Sequence, residues 1–513
     1  MHRLLFLHAA RRTTQQESLA AVRPMADLDF DILANLAPIR LVRKLFGKPL
    51  ELGARGADHI AALGDILAVD EEVDPRFGVT GIASKLASQN RFPALLCRKV
   101  KGSGLPVIIN LTATYERLAL AVGTTVETMV PDYANRPAVK NPPKLVSKSQ
   151  APVKEVILQD DEARMSALPI PTHNEMDAGP YITGDTLICK DPDSGALNAG
   201  MYRIQVQKEQ QLGVWMWDTH HGAHIRRRHE ELGKEMDVAI AIGHHPAYVM
   251  ACVSTLPGVG GELEEAGSLL GEPLEVVPAE TVDLVVPARA EIVIEGKIPP
   301  GERAFEGPFA EWPGTYVAEG DKPFIKVTAI TMRKDAIYYD VFSSNREHTV
   351  LGSLPRMGII YRTVKQYVPG VRNVNIPAHS RMYCFVSIKK ESEMDAKRAA
   401  MAALNVEPFN LKTIVVVDDD IDVFNDAEVL WAIGTRCHFE RSLTLIPAMA
   451  GPGGLNPVGY EFHADGSKTP VMISTLIVDA TKPAPPTPYP PRAGVPKEVL
   501  DRINLDKLLI KAL

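Results

Sequence analysis

The sequence predicts a mixed α/β (α+β) protein of several units, and three observations carry that prediction. Helical stretches alternate with short β-rich runs at both ends of the chain. The middle is dense in short strands bounded by glycine and proline. At 513 residues, 45% hydrophobic and 23% charged, the chain has the length and ordinary composition to bury more than one core. The net charge of −7 leaves no basic surplus to neutralise phosphates, which argues against a nucleic-acid partner.

Taken in order, residues 1–24 hold a short apolar patch, Leu4-Leu5-Phe6-Leu7, with most of the positive charge after it. That is too short and wrongly flanked for a signal peptide. An extended or misassigned start is expected, with the folded, cytoplasmic protein beginning near Met25. Residues 25–150 form an N-terminal α/β unit with strands at 94–97 and 106–110, and lead into a proline- and lysine-rich connection at 135–154. Residues 151–344 carry strands at 186–189, 201–206, 238–242 and 290–294, the pattern of a barrel or sandwich. A linker at 345–368 holds a helix at 359–367, with Pro355 limiting its backward extension and Pro369-Gly370 closing it. A second α/β unit, 369–480, alternates a strand (383–388), a helix (395–404), a strand (413–417) and a helix (427–433). The tail, 481–513, has a proline cluster and then a short apolar helix at 499–513, able to reach a partner subunit or to remain loose. Five scattered cysteines without CxxC spacing read as buried thiols, and no apolar run approaches the roughly 20 residues of a membrane span.

Glu306 and Glu311 are the most suggestive residues. They lie in FEGPFAEWPGTY, where glycine, proline and aromatic neighbours stiffen the chain and can keep two acids partly dry. Desolvation and like-charge proximity both raise carboxylate pKa values, as a proton donor near neutral pH requires; two solvated acids in a turn fit the same string. Arg203, in NAGMYRIQ, would need anionic partners if it points inward, and Glu306 and Glu311 are the natural ones; an outward surface arginine fits equally. The run DTHHGAH brings His220 and His221 beside a glycine, suited to a metal but without HExxH spacing, so a hydrogen-bonded loop histidine stays open. Ser254-Thr255-Leu256-Pro257, followed by GVGGELEEAG, offers hydroxyls and amides for phosphate oxygens and Glu262 for a cation; a flexible acidic loop is the bland reading. There is neither a GxxxxGK[ST] loop nor a GxGxxG in a strand–helix context.

In order along the chain, NAGMYRIQ, the histidine run, STLP, ELEEAG, EIVIEG and FEGPFAEWPGTY resemble the UbiD family of prenylated-FMN-dependent (de)carboxylases. The later VVVDDDIDVFNDAEVLWAIGTR is similar to that family's C-terminal domain. The resemblance, covering about residues 30–480, implies a central split β-barrel flavin-binding domain, a flanking α/β unit, a linker helix and a C-terminal α/β oligomerisation domain. It implies a carboxy-lyase that releases CO2 reversibly from an aromatic, heteroaromatic or α,β-unsaturated acid through a covalent cofactor adduct. Arg203, Glu306 and Glu311 would be catalytic, with Glu311 protonating the product carbon. Asn198, His221 and Glu262 would hold Mn2+ (or Mg2+), with K+ nearby. Thr183, Asn198, Met201, Tyr202, Arg203, His220, Ser254, Thr255, Leu256, Pro257 and Lys397 would contact the prenylated FMN. A flavin prenyltransferase would supply that cofactor, and the protein would be a homodimer or higher homo-oligomer without membrane attachment. The rival functions are a metal-dependent hydrolase or lyase without flavin, and a non-catalytic UbiD-like subunit of a carboxylase complex.

Overall fold

The computed structural model describes residues 66–136, 141–254, 259–316, 319–408, 410–450, 455–500 and 502–504. The expectations for 1–24, for the start of the N-terminal unit, for Thr255, Leu256 and Pro257, and for the end of the tail helix lie outside them. The first unit contains β1 (Ile66–Val73), α1 (Gly78–Ala87), β2 (Ala94–Val100) and β3 (Val107–Ile109). β2 runs parallel to β1 and antiparallel to β3. The sheet is completed by Tyr338–Tyr339, from much later in the chain, lying parallel to β3. Glu347 reinforces that return. It is buried and accepts from Asn110 N (2.6 Å), Thr112 N (2.7 Å) and Tyr339 Oη (3.2 Å).

The central unit is a nine-stranded sheet. Its strands are β4 (Val156–Gln159), β5 (Tyr181–Ile182), β6 (Asp185–Lys190), β7 (Leu197–Gly200), β8 (Arg203–Lys208), β9 (Gln211–Trp215), β10 (Met236–Ile242), β11 (Ile292–Ile298) and β12 (Phe324–Met332). The order is β5-β8-β9-β12-β11-β10-β6-β7, with β4 on β12. β12 explains how such a sheet splits. One edge pairs with β11 along residues 326–332, while the other meets β9 at 324–326 and β4 at 329–332. The sheet therefore forks at β12 instead of continuing flat. Three helices, α2 (His221–Glu231), α3 (Pro246–Cys252) and α4 (Glu262–Leu270), pack at the β6–β7 end. The acidic ELEEAG run is thus helix, not loop, entered through Gly261 at φ 105°.

The helix expected at 359–367 is α5 (Ser353–Tyr367) and begins earlier. Pro355 does not stop it because it falls in the first turn, where its missing N–H would have had no helical partner anyway. α5 packs on the helix Met129–Asn135 and on α6 (Asp395–Val406), spanning the first and last units. The last unit has β13 (Val371–Asn375), β14 (Tyr383–Ile388), β15 (Thr413–Asp418), α7 (Asp426–Arg436), β16 (Leu443–Ala450) and β17 (Ile473–Ala480), in the order β13-β14-β15-β17-β16. Its three central strands are parallel and its edges antiparallel. Four cysteines are buried and Cys437 is half-buried; all five are free thiols. Among the described residues no helix is long and apolar enough to cross a membrane.

Candidate active site

Arg203 opens β8 and faces Trp215, the last residue of β9, across an antiparallel pair. Its guanidinium lies 4.4 Å from the Trp215 ring centroid and 5.2 Å from that of Phe309. An arginine only 8% exposed must find anions, and it finds both glutamates. Nε and Nη2 donate to Glu306 at 3.1 and 2.5 Å, and Nη1 donates to Glu311 Oε1 at 2.8 Å. This two-point grip on Glu306 fixes the guanidinium plane, which a lysine could not do.

The loop between the acids is pinned at each step. Gly307 turns with φ 102°, and its N–H donates to Gln205 Oε1 at 3.3 Å. Ala310 N donates to Asp177 Oδ1 at 2.9 Å, and Glu311 N donates to Thr315 O at 3.1 Å. The Tyr181 ring packs 4.3 Å from Phe309. Five residues of sequence separation are thereby folded back around one arginine. Burial raises the Glu306 carboxyl above its ordinary value, and Arg203 offsets only part of that effect. Burial works against the Arg203 charge, but Glu311 and Glu306 outweigh it and hold the guanidinium above its ordinary value. Two acids are thereby held around one cation.

A cavity of roughly 660 Å³ lies beside this network. Arg203 and Glu311 are on its wall, whereas Glu306, fully buried, stands behind them. Asn198 from β7, His221 at the start of α2 and Glu262 at the start of α4 line the same cavity. Glu262 is 3% exposed, has no ion pair among the described residues, and is pushed up to about 7, chiefly by burial. A buried carboxylate short of positive charge, beside an amide and an imidazole, fits a hard divalent ion. Among the described residues no three His, Cys, Asp or Glu side chains converge as a ready-made cage, so such an ion would need further oxygen ligands.

Met201, Tyr202, His220, Ser254 and Thr183 are also on the wall. Burial and the nearby Arg356 and His221 lower the His220 pKa, which favours the neutral ring. The Ser254 hydroxyl donates to Ala251 O at 2.7 Å. Thr183 Oγ1 lies 2.8 Å from both Asp340 Oδ1 and Val341 O, so its hydroxyl is turned into the wall. Gly184 permits that approach. A Cβ there would sit 2.6 Å from Tyr339 O and 2.9 Å from Asp340 Cα. Gly184→Ala is therefore expected to lower stability by about 1–3 kcal/mol, read as a fall in the denaturation midpoint.

Lys397 is not brought to the site. It is exposed on α6, whose buried face is taken by Ala396, Ala399, Ala400 and Ala403, so the helix turns the lysine to solvent. The cavity in turn holds residues that sequence reasoning did not single out, among them Trp215, Trp217, His348, Arg356 and Arg381. The aromatic alternation in VWMWDTH could have flagged the tryptophans, whose rings lie 5.3 Å apart. Nothing local marks the other three, which come from the linker and the last unit.

Family profiles of the 3-octaprenyl-4-hydroxybenzoate carboxy-lyase (UbiD) match this chain in three consecutive parts. They are the N-terminal domain (57–136), the Rift-related domain (144–346) and the C-terminal domain (349–469). The anhydromevalonate phosphate decarboxylase of Methanothermobacter thermautotrophicus is 35% identical over 421 residues, covering 82% of this chain and 94% of the relative. The phenolic acid decarboxylase of Sedimentibacter hydroxybenzoicus is 31% identical over 448 residues, covering 83% and 90%. The UbiD-class enzyme HmfF from Pelotomaculum thermopropionicum, solved in complex with prFMN, superposes with a TM-score of 0.77 at 37% identity, over 89% of this chain and 99% of that one. With the Arg203, Glu306 and Glu311 network beside such a cavity, the chain is a carboxy-lyase and belongs to the UbiD family of prenylated-FMN-dependent (de)carboxylases.

Proposed function

We propose that the protein is a reversible, non-oxidative decarboxylase of an aromatic, heteroaromatic or α,β-unsaturated carboxylic acid, and that it works with prenylated FMN. One observation carries this reading furthest: a single cavity is lined by both the Arg203–Glu311 pair and the Asn198, His221 and Glu262 set. Bound there, the prenylated flavin would supply the electron sink needed when a carboxylate leaves an sp2 carbon. Asn198, His221 and Glu262 would hold Mn2+ or Mg2+, whose positive charge would help retain the anionic cofactor. K+ would sit near the backbone of Val253 and Ser254.

The chain's own residues would do the rest. Glu306 holds the arginine plane from behind and Glu311 accepts from Nη1, and at the cavity wall Arg203 would orient the substrate carboxylate. Glu311, the acid on the cavity wall, carries the proton and delivers it to the carbon that lost CO2. Trp215 and Phe309, both buried on the cavity wall, would limit the water that reaches that transfer. A flavin prenyltransferase would supply the cofactor in the cytoplasm. A homodimer is supported by the exposed Leu430, Phe439, Leu445 and Phe462 of the last unit.

His221→Ala tests the metal–cofactor arm. The variant is expected to lose divalent metal and flavin together, measured by elemental analysis and visible absorbance of the purified protein. Retention of the flavin spectrum without the metal would contradict the assignment.

A further inference from the structure

We infer that Asp177 is a positioning residue for the proton transfer: it fixes the loop that carries Glu311, and a buried chain of side chains through Asn174, Ser343, His173 and Asp340 fixes Asp177 in turn. The inference rests on the decarboxylase reading and adds to it the residues that set where the acid stands.

Residues 172–181 run from the first unit to β5 and are anchored at both ends. Thr172 donates to Pro75 O and accepts from Phe77 N, each at 3.1 Å, and Thr80 Oγ1 donates to His173 O at 2.9 Å. Tyr181 lies in β5. Between these anchors Asn174 and Asp177 close a turn. Asp177 N donates to Asn174 O at 3.1 Å, and Asn174 N donates back to Asp177 Oδ2 at 2.8 Å. Two bonds stitch this turn to the acid loop. Ala310 N donates to Asp177 Oδ1 at 2.9 Å, and Ala178 N donates to Pro308 O at 2.9 Å. Ala310 directly precedes Glu311.

The carboxylate of Asp177 is the group this junction requires. Its Oδ2 also accepts from Asn174 Nδ2 at 3.3 Å, so the two oxygens take donors from both sides. An amide there would turn an N–H towards one of those donors. Asn174 Nδ2 in turn donates to Ser343 Oγ at 3.2 Å, and Ser343 Oγ lies 3.1 Å from His173 Nδ1. His173 Nε2 lies 2.7 Å from Asp340 Oδ2, and Asp340 Oδ1 accepts from Thr183 Oγ1 at 2.8 Å. Burial works against a charge on His173, but Asp340 outweighs it and raises the ring above its ordinary value. That favours a ring with two N–H donors, one for Asp340 and one for Ser343. His173, Asp340 and Ser343 are all buried. An ion pair that deep adds little net stability over apolar packing; what it supplies here is directional bonds at both ends. The chain thus runs unbroken from Thr183, on the cavity wall, to the residue before Glu311. A proton donor displaced by about 1 Å can lose about 10²-fold in rate, so this is where rigidity matters.

The test begins with the protein free of flavin. Hydrogen–deuterium exchange of residues 305–316 is expected to quicken about 10-fold in Asp177→Ala, the scale of one hydrogen bond, with no change outside 172–181 and that loop. Turnover is then read with flavin-loaded enzyme on whichever of cinnamate, 4-hydroxybenzoate, furan-2-carboxylate and anhydromevalonate phosphate the wild type decarboxylates fastest. In Asp177→Ala, kcat per bound flavin is expected to fall about 10- to 100-fold with KM and flavin absorbance unchanged. Asp177→Asn, which keeps one acceptor, should lie between that variant and wild type, and it serves if the alanine variant does not fold. Ser343→Ala cuts the chain one link back, and the double variant should be no slower than Asp177→Ala alone. Fully additive losses would overturn the chain through Ser343. A lower melting temperature with kcat per flavin unchanged would overturn the positioning role, as would a loss that appears in KM or flavin content instead of kcat. Quickened exchange confined to the loop, in a protein whose wild type releases no CO2 from any of the four acids, would keep the loop placement and remove the decarboxylase reading. CO2 release with kcat indifferent to Asp177 would do the reverse.

Discussion

Glu311→Gln is expected to fold, keep its flavin and lose CO2 release by about 10²- to 10⁴-fold, the range assigned to a positioned general acid. The amide has the shape of the carboxyl, and its oxygen can still accept from Arg203 Nη1, now 2.8 Å from Glu311 Oε1. What it lacks is a proton that can be given up and recovered. Glu311 is also the member of the pair that lies on the cavity wall, whereas Glu306 is sealed behind the arginine. The checks are kcat from CO2 release, flavin absorbance and the melting temperature of the same preparation. Turnover close to wild type would move the proton-delivery role away from Glu311.

Arg203→Leu is expected to abolish turnover and to cost about 3–5 kcal/mol of stability, the usual effect of removing one partner from a buried ion pair. Glu306 is 0% exposed and would be left without its cation. The sign of the pH effect follows from its titration. Burial already raises this carboxyl above 4.5, and loss of Arg203 removes the main opposing influence. An acid with a raised folded-state pKa favours folding most below its unfolded value. The variant's stability should therefore fall as pH rises above about 4.5 and through the raised folded value. Combining Arg203→Leu with Glu306→Gln should restore part of the stability and none of the turnover. Urea denaturation at several pH values reads both effects, and an unchanged midpoint for the single variant would contradict the buried network.

The acid pair was legible because its surroundings were unusual. Carboxylates embedded in FEGPFAEWPGTY have few ways to reach water, and Arg203 supplied a cation that could meet them. The paired ends of β8 and β9, with the loop after Glu306, show how the chain makes that meeting. Elements with a strong local period were legible for the same kind of reason. The alternating Met236–Ile242 strand and the apolar Thr413–Asp418 strand are both where expected. Helix starts were less so, as Pro355 and the ELEEAG run show, since a first turn tolerates proline and acids that an interior would not. Lys397 was misplaced because the rotation of α6, set by its alanine face, decides where that side chain goes. His348, Arg356 and Arg381 were invisible for a different reason. Each is ordinary in its own segment, and only the packing of the linker and last unit against the central sheet brings them to one wall.

The most direct test of the decarboxylase reading is one preparation of the protein co-produced with a flavin prenyltransferase, measured for its visible spectrum and for CO2 release from a panel of aryl, heteroaryl and α,β-unsaturated acids. A flavin-coloured protein that releases CO2 from at least one acid, and stops doing so when prepared without the prenyltransferase, is the expected result. A colourless protein whose activity needs only a divalent metal would contradict it.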